Sequence, residues 1–95
     1  MYLYANSSTD TFTIDLSKKY LVQNQFLDNS YFYLGWYEVE NGVVSDCIAK
    51  WTNNSSITDS WWNGATLKPT VSGTTLNFPN YASNQRMERQ IIQLN

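Results

Sequence analysis

Apolar and polar residues alternate with a period of two along several stretches of this chain. In Thr11–Leu16, Phe12, Ile14 and Leu16 alternate with Thr11, Thr13 and Asp15, the pattern of a strand with one buried face. Tyr2–Ala5 reads as an earlier strand, separated from it by the polar turn Asn6–Asp10. The longest alternating runs are Tyr31–Glu40 and Val43–Thr52, on either side of Asn41-Gly42. Asn-Gly between such runs predicts a two-residue hairpin turn, because a type I′ turn needs positive φ at both central positions.

A two-residue turn sets the register. It puts Glu40 opposite Val43, Glu38 opposite Ser45, Trp36 opposite Cys47, Leu34 opposite Ala49 and Phe32 opposite Trp51. One face then carries Phe32, Leu34, Trp36, Cys47, Ala49 and Trp51, and is expected to be core. The other carries Tyr31, Tyr33, Gly35, Tyr37 and Val39, with Gly35 leaving a shallow gap between two tyrosines.

A second hairpin is predicted at Leu67–Phe78, turning at Ser72-Gly73, with Leu67 opposite Phe78 and Pro69 opposite Leu76. Proline cannot donate to a ladder, so this strand is expected at an edge. Two segments carry mixed signals. Ser17 suits the cap of a short helix, yet Tyr20–Val22 and Phe26–Leu27 fit a strand or a loop equally well. In Gln85–Leu94, Met87, Ile91 and Leu94 have helical spacing, but Ile91-Ile92 among polar neighbours suits a closing strand, the reading taken here. The expected fold is all-β: a small antiparallel β-sandwich or barrel built from hairpins, with room for one short helix, forming a single domain over residues 1–95.

Composition supports this reading. Ninety-five residues bury only about 60–65% of the surface the unfolded chain exposes. Four Trp, seven Tyr and four Phe compensate, since each buried aromatic removes roughly 150–250 Å² from water. Asn, Ser and Thr make up about a third of the chain and favour turns over helices.

The net charge is −2, with no basic run beyond Lys18-Lys19 and Arg86…Arg89. This lacks the electrostatic footprint of a nucleic-acid binder. The single cysteine, Cys47, excludes an intramolecular disulfide and suits assembly in a reducing compartment. No stretch resembles a signal peptide, and none is long and apolar enough for a membrane span. The sequons at Asn6, Asn53 and Asn54 are expected by chance in so Asn- and Ser-rich a chain.

The chain contains no histidine. That removes the commonest general base, the Ser–His and Cys–His pairs, and Cys/His zinc sites. No Gly-rich phosphate loop is present. Paired carboxylates are the remaining catalytic option, and Glu38 with Glu40 is the candidate pair. A glycosidase needs two carboxyls across a cleft, and a chain this short has little room for one. No catalytic residue, cofactor or metal ligand is therefore expected.

Binding is expected to fall to aromatic and amide side chains. Adjacent strand residues face opposite ways, so one of Trp61-Trp62 is expected outside the core, as a stacking platform for a sugar or an anchor for a protein. The candidate surface is Tyr31, Tyr33 and Tyr37 with Trp61, Trp62 and Asn63. The expected role is a non-enzymatic binding or structural module, recognising a glycan, a protein or a second copy of itself. Few charges and many Asn, Thr, Tyr and Trp are extracellular in flavour, while a leader and disulfides are missing. A phage particle, with its tail, fibre and capsid-decoration proteins, reconciles the two, being assembled in a reducing cytoplasm and then released. The other reading is a small acidic cytoplasmic inhibitor from a mobile element, meeting a basic surface of a host defence protein through Glu38, Glu40, Asp46 and Asp59.

Overall fold

The computed structural model describes residues 2–5, 11–79 and 86–95, with residues 2–5 and 86 given by backbone alone. The turn expected at Asn6–Asp10 falls outside these residues. The Asn41-Gly42 turn forms as the sequence predicts, with φ 53° at Asn41 and 75° at Gly42. It joins β4 (Tyr31–Glu40) to β5 (Val43–Val44). Ser17–Ser30 contains no helix. Its residues Lys19–Asp28 form β3, which pairs with β4 over ten consecutive positions from Lys19–Glu40 to Asp28–Tyr31. A second two-residue turn closes that hairpin, with φ 55° at Asn29.

The chain is all-β, in two antiparallel sheets packed as a sandwich. The large sheet runs β1 (Tyr2–Ala5), β9 (Arg86–Gln93), β3, β4, β5, and β4 also pairs with β6 (Ala49–Thr52). The strand reading of the C-terminal segment therefore holds. The small sheet runs β2 (Thr11–Thr13), β8 (Thr75–Asn77), β7 (Thr70–Ser72). The hairpin β7–β8 has Ser72 opposite Thr75 and Val71 opposite Leu76. Its register is two residues from the one expected, because the turn is centred on Gly73-Thr74, with φ 60° at Gly73. β7 is an edge strand, and Pro69 lies just before it.

The long hairpin also departs from its expected register. Val39 pairs with Val44 as expected, but Trp36 faces Ala49 and Leu34 faces Trp51. Between these pairs the chain bulges at residues 45–48. Ser45 caps the bulge: its N–H donates to Glu38 O at 2.8 Å, and its hydroxyl accepts from Glu38 N–H at 2.9 Å. Ile48 N–H then donates to Trp36 O at 2.9 Å, and the ladder resumes. A two-residue slip preserves which side chains share a face, because the strand period is two.

The face that is buried is the opposite of the one expected. Tyr33, Gly35, Tyr37 and Val39 point into the core, with Tyr20, Val22, Asn24 and Phe26 of β3 beside them. Phe32, Leu34 and Trp36 are half-buried, while Ala49 and Trp51 are exposed. Both faces of β4 are apolar enough to bury, so the covering segments decide. They cross the tyrosine face in two pieces. The small sheet covers one end, packing Ile14, Leu76 and Phe78 on Tyr20, Val22, Tyr37, Val39 and Ile91. The segment from Asp59 to Leu67 covers the other, packing Trp62 and Leu67 on Phe26, Tyr33 and Met87.

Gly35 is what lets that second cover approach. The gap it leaves is filled by Leu67, and a Cβ at residue 35 would stand 2.9 Å from Leu67 Cδ2. Between the two apolar clusters a polar brace crosses the sheet. Arg89, fully buried, donates from Nε to Asn24 Oδ1 at 3.1 Å and from Nη2 to Pro79 O at 3.0 Å. Asn24 in turn donates to Leu67 O at 3.0 Å, and the Arg89 guanidinium lies 5.3 Å from the Phe78 ring centroid. Arg89 and Asn24 are thus each given partners, as burial requires.

Candidate binding surface

The six residues singled out from the sequence do not form one surface. Tyr33, Tyr37 and Trp62 are core residues. The Tyr33 hydroxyl accepts from Asn54 Nδ2 at 2.9 Å. The Tyr37 hydroxyl donates to Trp62 O at 2.6 Å, and burial pushes its pKa far above the usual tyrosine range. Trp61 and Trp62 lie in a 3-10 helix, Asp59–Asn63, and not in a strand, so the rule of opposite faces does not apply. Trp62 points inward. Trp61 lies half-buried over the same cluster, 4.9 Å from the Tyr33 ring and 5.2 Å from Trp62. Asn63 is exposed but structural, its Oδ1 accepting from Cys47 N–H at 2.8 Å and tying the bulge to the 3-10 helix. Tyr31, at the start of β4 opposite Asp28, is exposed.

The surface that does emerge is the outer face of the large sheet. Strand alternation from the buried set places Leu21, Gln23, Gln25 and Leu27 of β3 there. Beside them lie Phe32, Leu34 and Trp36 of β4, Trp51 of β6, and Gln90 and Ile92 of β9. Trp51 is 56% exposed, and its ring leans on Phe32 with centroids 5.5 Å apart. Leu27, opposite Phe32, is 39% exposed. A sheet with one face already covered normally turns polar side chains to water on the other. Here aromatic, aliphatic and amide groups fill that place. The signal was present in the sequence, since the hairpin face read as core is this same face.

Charge on this face is largely paired. Lys19 lies 3.3 Å from Glu38 and 3.8 Å from Glu40. Glu88 accepts from Gln25 Nε2 at 2.7 Å. These two groups, with Leu27 and Phe32, line a shallow hollow of about 210 Å³ at one end of the face. Near the middle, Gln23 lies between Trp36 and Gln90. It is only 6% exposed, and its Oε1 is buried without a hydrogen-bond partner.

Glu38 and Glu40, the candidate carboxylate pair, share Lys19 at the turn end of β4. Among the described residues no group of three or more Cys, Asp or Glu could hold a metal ion, and no helix is long and apolar enough to cross a membrane. Cys47 is half-buried in the bulge, with its thiol donating to Ala49 O at 3.2 Å. No family model, curated protein or solved structure matches this chain, so its fold and this surface are what describe it.

Proposed function

We propose that this chain is a non-enzymatic binding module that recognises a protein through the outer face of its large sheet. The observation that carries the reading is Trp51, more than half exposed and tilted against Phe32 in an apolar strip that continues through Leu34 and Trp36. Aromatic anchors in such a strip are the usual energetic centres of protein interfaces, and contiguous exposed apolar patches mark interaction sites. The setting we favour is a particle assembled in a reducing cytoplasm, such as a phage tail, fibre or capsid decoration. The inhibitor reading has weaker support, because Asp46 pairs with Lys68, Asp59 with Lys50, and Glu38 and Glu40 with Lys19.

One feature favours a second reading. The hollow beside Phe32 combines an aromatic ring with the Gln25 amide and the Glu88 carboxylate, chemistry that suits a sugar. Panning a random peptide display library against the wild type and Trp51→Asp separates the readings. Peptides that bind the wild type and not the variant are expected. Recovery of none, with retention on a glycan panel instead, would overturn the protein reading in favour of the sugar.

A further inference from the structure

We infer that the partner on this face is a second copy of the chain, docked sheet to sheet about a two-fold axis that passes beside Gln23. The inference rests on the proposal that the outer face binds protein, and names the occupant.

Three observations carry it. The first is self-complementarity. A two-fold interface sets a patch against itself, so its groups must tolerate their own likeness. Apolar side chains do, and so does an amide, which has both a donor and an acceptor. The middle of this face is Gln23, Gln25, Leu34 and Trp36, flanked by Trp51; of its carboxylates, Glu38 lies opposite Leu21 beside Lys19, and Glu88 is bonded to Gln25. Like charges do not meet at the axis.

The second is size. β3 and β4, of ten residues each, β9 of eight and β6 of four, at about 3.3 Å per residue and about 4.8 Å per strand, give roughly 500 Å² per copy. The pair thus offers roughly 1,000 Å², which meets the about 1,000 Å² expected of a specific interface. Two sheets stacked at about 10 Å interdigitate their side chains as the layers of a sandwich do.

The third is the orphan acceptor. Gln23 Oε1 has no donor, although the side chain is more than nine-tenths buried. An unsatisfied buried acceptor is uncommon and calls for an explanation. The terminal torsion of glutamine is broad, so a small rotation brings the amide to the surface. There the Gln23 amide of a second copy supplies the missing donor and accepts in return.

Light scattering after size-exclusion chromatography, from dilute to concentrated solution, tests this. The wild type is expected to run as a dimer. Trp51→Asp, at an exposed position, is expected to weaken the dimer by roughly thirtyfold or more, as loss of a hot-spot tryptophan does. Gln23→Glu is expected to weaken it at neutral pH, where two carboxylates meet, and to recover in acid as they protonate. A wild type that is monomeric throughout, or a dimer indifferent to both substitutions, overturns the second copy as occupant. The peptide panning above is read on the same monomer. Trp51-dependent peptides there would leave the binding module standing with a different partner.

Discussion

Leu67 occupies the space that a side chain on Gly35 would need, with its Cδ2 only 2.9 Å from the position of a Cβ there. The two residues come from different elements, the middle of β4 and the loop after the 3-10 helix. Gly35→Ala is therefore expected to destabilise the fold, although alanine is intrinsically better than glycine in a strand. Leu67 is fully buried and cannot swing away, so overpacking should cost about 1–3 kcal/mol. Thermal unfolding measures the loss. In the double variant with Leu67→Ala, Gly35→Ala should cost less, the remainder coming from Tyr37 Oη at 3.1 Å from the same Cβ position, a coupling that a double-mutant cycle reads directly.

Gly42 has φ 75° and follows Asn41 at φ 53°. Replacing Gly42 by valine asks a β-branched residue to adopt a left-handed conformation. The expected cost is about 1–3 kcal/mol, seen as a lower denaturation midpoint with an unchanged denaturant slope. An unaltered midpoint would mean that the turn is not formed.

Tyr37 donates to Trp62 O at 2.6 Å and is buried. Its pKa is raised above the ordinary value of 10.0, chiefly by burial. A raised pKa favours the neutral form in the fold. The stability it contributes is complete below pH 10 and is lost as pH rises above that value, because the unfolded chain then releases a proton that the folded chain holds. Unfolding titrations between neutral and strongly alkaline pH should show this decline, and Tyr37→Phe should flatten it. At neutral pH the same substitution should cost about 1–2 kcal/mol for the lost hydrogen bond.

Asn24 is bonded on both sides, accepting from Arg89 and donating to Leu67 O. Asn24→Ala takes a partner from a buried guanidinium and from a buried carbonyl together. A loss of about 2–4 kcal/mol is expected, since hydrogen bonds to charged groups are the stronger kind. Asn24→Asp should recover part of it, because the carboxylate still accepts from Arg89 while the donor to Leu67 is gone. Chemical denaturation of the two variants gives the order.

The sequence carries the strand content, the Asn41-Gly42 turn and the closing C-terminal strand, because each depends on local signals: positive φ, period two, β-branched pairs. Which face of β4 is buried is not local. Phe32, Leu34 and Trp36 are as apolar as Tyr33, Tyr37 and Val39, and the choice is made by Leu67 and Trp62 from further along the chain. The bulge at residues 45–48 was hidden because Ser45 replaces a missing ladder bond with its side chain. β3 was ambiguous for a related reason. Leu21, Gln23, Gln25 and Leu27 alternate with Tyr20, Val22, Asn24 and Phe26, so both faces mix apolar and amide groups and the period fades. The inverted face is also why the candidate residues moved. Tyr33 and Tyr37 went inside, Phe32, Leu34, Trp36 and Trp51 turned to the other face, and Cys47 alone of the expected set packs against both core clusters.

The position of β9 bears on how the molecule is made. It lies between β1 and β3 and bonds to both. β1 precedes the other strands of this sheet along the chain, and β9 follows them. During translation β1 therefore has no strand beside it in this sheet, and one whole edge of β3 stays open, until residues 86–93 emerge. Pairings so distant along the chain close slowly, and an open strand edge is a template for joining another chain. Nascent copies on neighbouring ribosomes would meet with that edge still free, so the yield of correctly folded protein should depend more on how crowded and how warm synthesis is than on the stability of the finished fold.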